Sequence, residues 1–329
     1  MKKALITGVT GQDGSYMTEL LLSKGYEVHG IIRRVAVEDS RSRMSRLSKS
    51  ILNDMHLHIA DLTSYDSIYA AVEKVRPDEC YHFAAQSFVT DSFTDPFSTM
   101  DININGTHRL LKALQLLAPK CKVYFAASSE MFGNTINDFQ DEITPFNPRS
   151  PYGVSKVTGY YLSKVYRDQY KMFISCGITF NHESERRGFE FVTRKISRKA
   201  AEIALGLDKE LRLGNLEAAR DWGYAPDYVQ AFYSMLQYDK PDDFVIATGE
   251  THTIKEFVEE AFKILELNWE DYVKVDPAFL RPLDIHFLCG DSKKFRDKLN
   301  WEPTVVFKDL VRRMVTHDFQ ELQAFKGKL

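Results

Sequence analysis

Short apolar segments alternate with amphipathic stretches along the first half of the chain. Buried strands are indicated at 4–7, 26–32, 55–59, 79–83 and 122–126. Between and after them, apolar residues recur at helical spacing over 13–24, 64–75, 103–117 and 152–170. Such alternation is typical of βαβ units, and right-handed crossovers place the helices on both faces of a parallel sheet. The pattern therefore predicts an α/β fold built on a doubly wound parallel sheet.

The second half of the chain has a less regular pattern. Segment 173–180 indicates one more central strand, and 243–247 indicates a late strand that returns to the first sheet. The stretches 181–240 and 251–329 then predict a smaller α/β lobe. Because no Gly/Ser linker separates the two parts, we expect them to be interleaved, with a boundary near residue 180.

Composition places the chain among ordinary globular proteins. Of its 329 residues, 44% are hydrophobic and 27% are charged, and 43 basic against 46 acidic side chains give a net charge of −3. This balance offers no electrostatic attraction to nucleic acid or to an anionic membrane. Since no apolar run reaches the roughly 18 residues that cross a bilayer, we expect neither a nucleic-acid nor a membrane partner.

The cysteines and histidines follow no disulfide or metal pattern. The four cysteines are far apart and include no CxxC pair, which argues against a disulfide framework and a zinc site. The nine histidines include no HExxH motif, so no metal site is predicted. The N-terminal apolar run stops at Thr7-Gly8, too early for a secretory signal. These features predict a reduced, cytoplasmic protein without a metal.

A glycine-rich turn follows the first predicted strand. Gly8, Gly11 and Gly14 allow a tight turn and a close backbone approach just where a helix begins. The N–H groups and the dipole of a helix N-terminus suit a pyrophosphate. Because the turn lies between a strand and an amphipathic helix, it predicts a Rossmann-type dinucleotide site.

Residues after the second and third strands bear on the choice of dinucleotide. Arg33 stands about twenty residues beyond the glycines, where NAD enzymes commonly carry an acid for the ribose 2′-hydroxyl. An arginine there suits a 2′-phosphate, which predicts NADP rather than NAD. Asp61-Leu62 is placed to flank the adenine, or to cap the next helix with Thr63-Ser64. The basic residues that follow Arg33 fit a solvated surface helix equally well: Arg41, Arg43, Arg46 and Lys49.

A YxxxK pair opens the last helix of the first half. Spacing of four puts Tyr152 and Lys156 on one helical face. A nearby ammonium group and the positive ring of an oxidised nicotinamide would lower the pKa of the tyrosine, so that it takes a hydroxyl proton at neutral pH. Since the pair follows a dinucleotide motif in the same chain, it predicts a hydride-transfer site.

A short polar segment follows the strand at 122–126. Ligands bind at the carboxyl ends of parallel strands, so Ser128 can share the proton of a substrate hydroxyl with Tyr152. Glu130 is unnecessary for hydride transfer alone, but it can remove a proton beside a transient ketone. The alternative for Glu130 is a solvated loop glutamate.

Several longer motifs resemble those of a known family. They are GVTGQDGSY (8–16), AAQSFV (84–89), SSEMFG (128–133), TPFNPRSPYGVSK (144–156), FNHES (180–184), FVTRKI (191–196) and RDWG (220–223). Over nearly its whole length the chain resembles the extended short-chain dehydrogenase/reductases that act on nucleotide sugars, and among them the GDP-mannose 4,6-dehydratases. NHES, FVTRK and RDWG separate these dehydratases from epimerases of the same fold.

The resemblance implies a reaction and the parts of the chain that perform it. GDP-mannose is oxidised at C4, loses water across C5 and C6, and regains the hydride at C6, which yields GDP-4-keto-6-deoxymannose and recycles NADP. Residues 1–180, with the strand near 243–247, would bind the dinucleotide, and 181–329 would mainly bind the nucleotide sugar. A homo-oligomer, either a dimer or a tetramer, is implied as well.

The resemblance also implies three sets of site residues. The catalytic residues are Ser128, Glu130, Tyr152 and Lys156. The cofactor contacts are Gly8, Gly11, Gln12, Asp13, Gly14, Arg33, Asp61, Leu62, Ala84, Ala85, Gln86, His182 and Arg187. The nucleotide-sugar contacts are Ser87, Asn181, Val192, Lys195, Arg220, Arg281 and Asp284.

The chain departs from the family pattern at several positions. Ser128 replaces the usual threonine and keeps its hydroxyl, while Val35 and Ala36 stand where serines usually follow the arginine pair. Three further replacements leave open another GDP-sugar, such as a GDP-heptose, as the substrate: His82, Glu185 and Asp284.

Two other functions stay open at this point. One is an epimerase, a decarboxylase or a 4-dehydrogenase of the same fold that acts on another GDP-sugar, and Glu130 argues against a plain epimerase. The other is a non-catalytic NADP-binding regulator. Such a regulator is expected to have lost Tyr152, Lys156 or Glu130, and this chain has kept all three.

Overall fold

A seven-stranded parallel sheet forms the centre of the molecule. The computed structural model describes residues 1–34, 44–135, 137–279 and 287–326. The strands of the described residues are β1 (Lys3–Thr7), β2 (Glu27–Ile32), β3 (His56–Ile59), β4 (Glu79–His82), β5 (Lys122–Ala126), β6 (Ile174–Thr179), β7 (Asn181–Glu183), β8 (Leu211–Leu213), β9 (Ala219–Arg220), β10 (Trp222–Tyr224), β11 (Asp243–Ile246), β12 (His252–Thr253) and β13 (Val273–Val275). The central sheet has the order β11-β6-β5-β4-β1-β2-β3. The predicted doubly wound α/β fold is therefore confirmed, with the reversal of strand order between β1 and β4.

Helices cover both faces of this sheet. They are α1 (Gln12–Ser23), α2 (Lys49–Asp54), α3 (Tyr65–Val75), α4 (Val89–Thr94), α5 (Pro96–Met100), α6 (Gly106–Leu117), α7 (Pro151–Tyr170), α8 (Val192–Ala204), α9 (Ala225–Gln237), α10 (Ile254–Ile264), α11 (Lys293–Leu299) and α12 (Phe307–Lys326). A π-helical turn at Asp101–Asn105 precedes α6, and short 3₁₀ turns occupy Ser129–Met131, Trp269–Asp271 and Pro277–Phe279.

Burial on both faces explains the uninterrupted apolar strands. In β1, Ala4 and Ile6 pack in one hydrophobic cluster with Met17 of α1 and Phe232 of α9. Leu5 points to the opposite face and packs in a second cluster with residues of α3 and α6. Successive side chains of a strand alternate between faces, so a strand covered on both sides has no polar positions to interrupt it.

Strand β11 brings the chain back to the sheet from the second lobe. It pairs in parallel with β6, where Phe244 lies opposite Gly177. The chain then leaves the sheet again for β12 and α10. The two lobes therefore share segments that are distant in sequence.

The second lobe combines short strands with three helices. Three two-stranded sheets pair β10 with β7, β12 with β9 and β13 with β8. Ile196 of α8, Phe257 of α10 and Met314 of α12 meet in one buried cluster. Since β7 directly follows the central strand β6, this lobe is attached to the sheet at the carboxyl ends of its strands.

A buried ion pair holds α8 against α12. The Arg194 guanidinium donates to Asp318 at 3.0 and 2.7 Å, and the Ser197 hydroxyl donates to the same carboxylate at 2.6 Å. Both charged side chains are almost fully buried. Removing one partner of such a pair costs about 3–5 kcal/mol, because the other charge is left buried without compensation.

The described residues contain neither a membrane-spanning helix nor a metal cluster. None of the helices described here is both long and apolar enough to cross a membrane. Across the same residues, no group of three or more His, Cys, Asp or Glu side chains is arranged to hold a metal ion. The four cysteines are buried and free.

Candidate active site

A cavity of about 640 Å³ opens at the carboxyl ends of the strands, on either side of the reversal between β1 and β4. It extends from the turn after β1 to the start of α7 and to β7. All thirteen residues predicted to contact the cofactor line it: Gly8, Gly11, Gln12, Asp13, Gly14, Arg33, Asp61, Leu62, Ala84, Ala85, Gln86, His182 and Arg187. Parallel α/β sheets bind ligands at this edge. The structure thus brings these residues together, while their individual contacts stay predictions.

The turn after β1 is built for close backbone contact. Gly8 has φ +73°, a conformation that favours glycine. A Cβ on Gly14 would lie 2.3 Å from the Gly8 carbonyl oxygen, so a side chain there would break the turn. Gly11 precedes α1 without a side-chain cap, which leaves the N–H groups of the first helical turn for an anion.

A hydrogen-bonded network joins the two lobes at the wall of the cavity. The Gln12 amide donates to the His182 carbonyl at 3.0 Å, and the Ser184 hydroxyl donates to the Gln12 side chain at 2.8 Å. His182 Nε2 lies 3.0 Å from Asp13 Oδ2. Burial alone would raise the pKa of Asp13, but the imidazole outweighs it and the pKa is lowered. The reverse holds for His182, whose pKa is raised despite burial because Asp13 faces it.

Three arginines line the part of the cavity near the end of β2. Arg33 and Arg187 were predicted from the sequence, and Arg46 was not. Arg46 is half-buried, and its guanidinium donates to the main-chain oxygens of Arg186 at 2.6 Å and Thr10 at 3.2 Å. It therefore lies against the glycine turn instead of on a solvated surface helix. The same stretch of the sequence contains Lys49, which begins α2. Its other residues named above lie outside the described residues: Val35, Ala36, Arg41 and Arg43.

Asp61 lies at the cavity and in the turn before α3, but it does not cap that helix. It lines the cavity, and its carboxylate accepts hydrogen bonds from Thr63 N at 2.9 Å and Thr63 Oγ1 at 2.8 Å. The cap of α3 is Ser64, which accepts from Ser67 N. Asp61 thus shapes the turn before the helix and remains free to contact an adenosine as predicted.

Tyr152 and Lys156 lie together on the first turns of α7. Pro151 opens the helix, and the Ser150 hydroxyl caps it by accepting from Gly153 N at 3.0 Å. Both side chains are nearly buried and line the cavity. Lys156 Nζ donates to the Ala126 carbonyl at 2.7 Å and lies 5.7 Å from the Tyr152 ring centre. The lysine is therefore fixed to the end of β5 beside the tyrosine.

Burial controls the acidity of this pair. It raises the pKa of Tyr152 to about 12, although a hydrogen bond with the Ser128 hydroxyl lowers it in part and the Glu130 carboxylate raises it further. Burial also lowers the pKa of Lys156 to about 8. In the protein alone, burial thus outweighs the Ser128 hydrogen bond, and the lowering of the tyrosine pKa expected from the ammonium and an oxidised nicotinamide together stays a prediction.

Ser128 and Glu130 occupy different positions after β5. Ser128 lines the cavity, and its hydroxyl accepts from Glu130 N at 3.3 Å. Glu130 is half-buried in the 3₁₀ turn behind that wall and is not among the lining residues. Its carbonyl oxygen would lie 2.8 Å from a Cβ on Gly153, so the turn packs tightly against α7 next to Tyr152. The carboxylate is thus close enough to the phenol to influence its pKa.

The predicted sugar contacts are spread over two regions. Ser87 and Asn181 line the cavity. Val192 begins α8, and Lys195 Nζ on the same helix donates to the Arg212 carbonyl at 2.7 Å. Arg220 ends β9, and its guanidinium donates to the Ala219 carbonyl at 2.9 Å. Two of the predicted contacts lie outside the described residues: Arg281 and Asp284.

Two departures from the family pattern lie away from the cavity. His82 is buried in β4, where Thr7 Oγ1 is 2.7 Å from Nδ1 and Thr107 Oγ1 is 3.0 Å from Nε2. Burial lowers the pKa of His82 to about 3, so it is neutral. Glu185 accepts from the Tyr16 hydroxyl at 3.2 Å and lines a separate groove. Neither residue lines the cavity.

Known protein sequences match this chain over nearly its whole length. The family model for GDP-mannose 4,6 dehydratase matches residues 5–314. GDP-mannose 4,6 dehydratase 2 of Arabidopsis thaliana is 48% identical over 330 residues, which cover 97% of this chain and 87% of the relative. The human GDP-mannose 4,6 dehydratase is 46% identical over 340 residues, which cover 96% and 91%. The Vibrio cholerae protein of that name is 42% identical over 358 residues, which cover 98% and 95%.

Solved structures share the fold at lower identity. DesIV, a dTDP-glucose 4,6-dehydratase from Streptomyces venezuelae with NAD and TYD bound, superposes with a TM-score of 0.85 at 20% identity and covers 98% of each chain. RMD from Pseudomonas aeruginosa, complexed with NADPH, has a TM-score of 0.82 at 21% identity and covers 98% of this chain and 100% of its own. At these identities the likeness concerns the fold alone.

Proposed function

The chain belongs to the GDP-mannose 4,6-dehydratase family, and on this basis we infer that it is an enzyme that converts GDP-mannose into GDP-4-keto-6-deoxymannose. The observation that carries the inference is 42–48% identity over nearly the full length to dehydratases from plant, animal and bacterial sources. The cavity supports it, because Ser128, Tyr152 and Lys156 line the same cavity as the glycine turn.

We propose that NADP is the cofactor held in this cavity. The glycine turn and the uncapped start of α1 suit the pyrophosphate. Asp61 and Leu62 would flank the adenosine, and Arg33 with Arg46 would face a 2′-phosphate, which a guanidinium recognises well. When bound, the nicotinamide accepts a hydride from C4 of the sugar and returns it to C6. We also propose that residues 181–329 mainly bind the nucleotide sugar.

In the proposed first step, Tyr152 accepts the proton of the C4 hydroxyl. With a pKa near 12 the phenol is protonated at neutral pH, so the protein must favour the phenolate at the moment of reaction. The Ser128 hydroxyl does so by hydrogen bonding, and Lys156 is largely protonated at neutral pH because its pKa is about 8. A positive charge on an oxidised nicotinamide nearby would act in the same direction.

In the proposed second step, Glu130 removes the C5 proton. The new C4 ketone makes this proton acidic, and a carboxylate close by can take it. The electrons of the C5–H bond form the C5–C6 double bond while hydroxide leaves C6, and the proton on Glu130 converts it to water. After hydride returns to C6, C5 takes a proton from the solvent, which balances the proton that Tyr152 removed from the C4 hydroxyl. Two observations support this role, since Glu130 N donates to the Ser128 hydroxyl and the Glu130 carboxylate influences the pKa of Tyr152.

The direct test is mass spectrometry of GDP-mannose after incubation with the protein and a catalytic amount of NADP⁺. The expected result is a nucleotide sugar that has lost one water, with no net accumulation of NADPH. An unchanged sugar would contradict the proposed substrate. A sugar that has lost two hydrogens, with one NADPH formed per sugar, would show a dehydrogenase instead.

Replacing Arg33 by alanine is expected to weaken NADP binding by about ten- to a hundredfold and NAD binding by less than about twofold, because only NADP presents a 2′-phosphate. Titration of the apoprotein with each dinucleotide measures both constants. Arg34→Ala is the matched control, since Arg34 is also exposed but does not line the cavity. Equal losses for NADP and NAD in Arg33→Ala would show that Arg33 does not read the 2′-phosphate.

We propose a homo-oligomer that forms through the outer face of α7. Val154, Tyr161 and Val165 follow one another on that face and are 40%, 54% and 56% exposed. Phe97, on the adjoining helix α5, is 86% exposed. A contiguous apolar surface of this kind marks a protein interface. Sedimentation at micromolar concentration is expected to give at least twice the mass of one chain, and Val165→Glu is expected to shift it to one chain. A wild-type protein that sediments as a single chain would contradict the proposal.

A further inference from the structure

One carboxylate in the second lobe accepts an unusual number of main-chain hydrogen bonds. Asp221 lies between β9 and β10 and is 1% exposed. It accepts from Thr248 N at 2.9 Å, from the Thr248 hydroxyl at 2.7 Å, from Gly249 N at 2.9 Å and from Gly290 N at 3.3 Å. All four donors are neutral, and three belong to the main chain. Burial raises the pKa of Asp221 to about 6, so holding a charge there is costly.

The chemistry of these donors explains why an aspartate occupies the position. Four N–H and O–H groups converge on two oxygen atoms, and a carboxylate is an acceptor at both of them. An asparagine of the same shape would turn an NH₂ group toward at least one of these donors. The Asp221 carboxylate is therefore useful despite the cost of its burial, because it can accept from all four donors at once.

The donors come from segments that are distant in the sequence. Thr248 and Gly249 follow β11, the edge strand of the central sheet. Gly290 precedes α11. A Cβ on Gly290 would lie 2.3 Å from the Ala247 Cβ and 2.7 Å from the Phe180 ring, so the main chain at Gly290 packs directly against the end of the sheet. Through these hydrogen bonds, Asp221 holds the turn between β9 and β10 against the edge of the central sheet.

The same turn carries residues of the proposed sugar site. Arg220 immediately precedes Asp221, and Trp222, on its other side, pairs with Asn181 of β7, which lines the cavity. The bonds that Asp221 accepts therefore help to fix the main chain next to Arg220, which also pairs with His252 of β12.

We infer that Asp221 is a positioning residue for the nucleotide sugar, which holds Arg220 at the distance from the cavity that binding of the diphosphate requires. This role rests on the proposed function, since Arg220 is assigned to the nucleotide sugar there. Asp221 itself is buried behind the turn and touches neither the sugar nor the cofactor.

The test compares KM, kcat and the dissociation constant of GDP in variants of the NADP-loaded enzyme. Asp221→Asn is expected to raise KM for GDP-mannose and Kd for GDP by about tenfold. Its kcat should stay within about threefold of wild type, because the loss falls on binding and not on the chemical step. NADP content should be unchanged.

Two further sets of variants separate positioning from general damage. Thr248→Val removes one donor and should raise KM in the same direction by a smaller factor, whereas Thr248→Ser keeps the hydroxyl and should stay at the wild-type value. Asp227→Asn is the matched control, because Asp227 is also a buried aspartate that accepts from Thr304 N, Thr304 Oγ1 and Val305 N. It should lower the melting temperature without changing KM.

The outcomes distinguish this inference from the proposed function. A wild-type protein that leaves GDP-mannose unchanged contradicts the proposed function. If the wild type is active but Asp221→Asn keeps its KM, or loses kcat alone, the positioning role is wrong. Should Asp221→Asn fail to fold, equal KM values for Thr248→Val and Thr248→Ser overturn the role, and a higher value for Thr248→Val alone supports it.

Discussion

Tyr152→Phe is expected to lower kcat by about 10²- to 10⁴-fold. The substitution removes only the phenolic oxygen and leaves the ring in its buried place on α7, so binding of cofactor and sugar should persist. Without that oxygen, the C4 hydroxyl loses the phenolate that takes its proton in the proposed first step. Since oxidation at C4 precedes the other steps, neither the reduced nicotinamide nor the dehydrated sugar should form.

The readout for this variant is transient absorbance of the reduced nicotinamide together with mass spectrometry of the sugar. Tyr160→Phe is a matched control on the same helix, because the Tyr160 hydroxyl is also buried but donates to Asp243 at 3.0 Å, away from the cavity. It should leave kcat unchanged. Turnover of Tyr152→Phe within about tenfold of wild type would show that another group accepts the proton.

The fold was predictable because, along the first half of the chain, the local sequence pattern of each strand and helix matches the burial that the sheet imposes on it. The run Ala4-Leu5-Ile6 is apolar at every position because it lies between two layers of helix. The glycine turn was predictable for a similar reason, since the backbone itself excludes a side chain at Gly14. Features that depend on a few adjacent residues can be predicted from those residues alone.

Features that depend on distant segments were not predictable. Arg46 belongs to a basic stretch that fits a surface helix, and only folding places its guanidinium against the Thr10 carbonyl. The run of basic residues after Arg33 was a weak sequence signal for this position of Arg46. Asp221 gave no local sign of its role, because its donors lie 27, 28 and 69 positions away.

Burial depends on the fold, and neither residue type nor spacing reveals it. Strand register buries His82 between Thr7 and Thr107 in the sheet, which the local sequence does not indicate. The Tyr152–Lys156 spacing suggested an acidified phenol, but spacing carries no information on desolvation, which raises the pKa to about 12. Residue type and spacing can locate a titrating group without establishing its pKa.

Glu130→Gln is expected to separate oxidation from loss of water. Tyr152, Ser128 and Lys156 are kept, so the C4 hydroxyl should still be oxidised and the reduced nicotinamide should accumulate in one turnover. Glutamine cannot accept the C5 proton, so formation of the 6-deoxy product should fall by about 10²- to 10⁴-fold. In D₂O, the sugar should take up no deuterium at C5.

A second consequence follows from the position of Glu130 beside the phenol. Its carboxylate raises the pKa of Tyr152, so a neutral amide should lower that pKa and move the pH dependence of the oxidation step toward lower pH. A glutamate that merely lined a solvated loop would give no such shift. The two readouts therefore report independently on the same side chain.

Glu142→Gln serves as the control for Glu130→Gln. Glu142 is also a partly buried carboxylate, but it accepts from Val245 N at 2.7 Å at the far edge of the sheet and does not line the cavity. It should change neither oxidation nor elimination. If Glu130→Gln formed the deoxy product at the wild-type rate, the C5 base would have to be another group. If it lost oxidation to the same extent as elimination, Glu130 would act on the first step, through Tyr152, and not at C5.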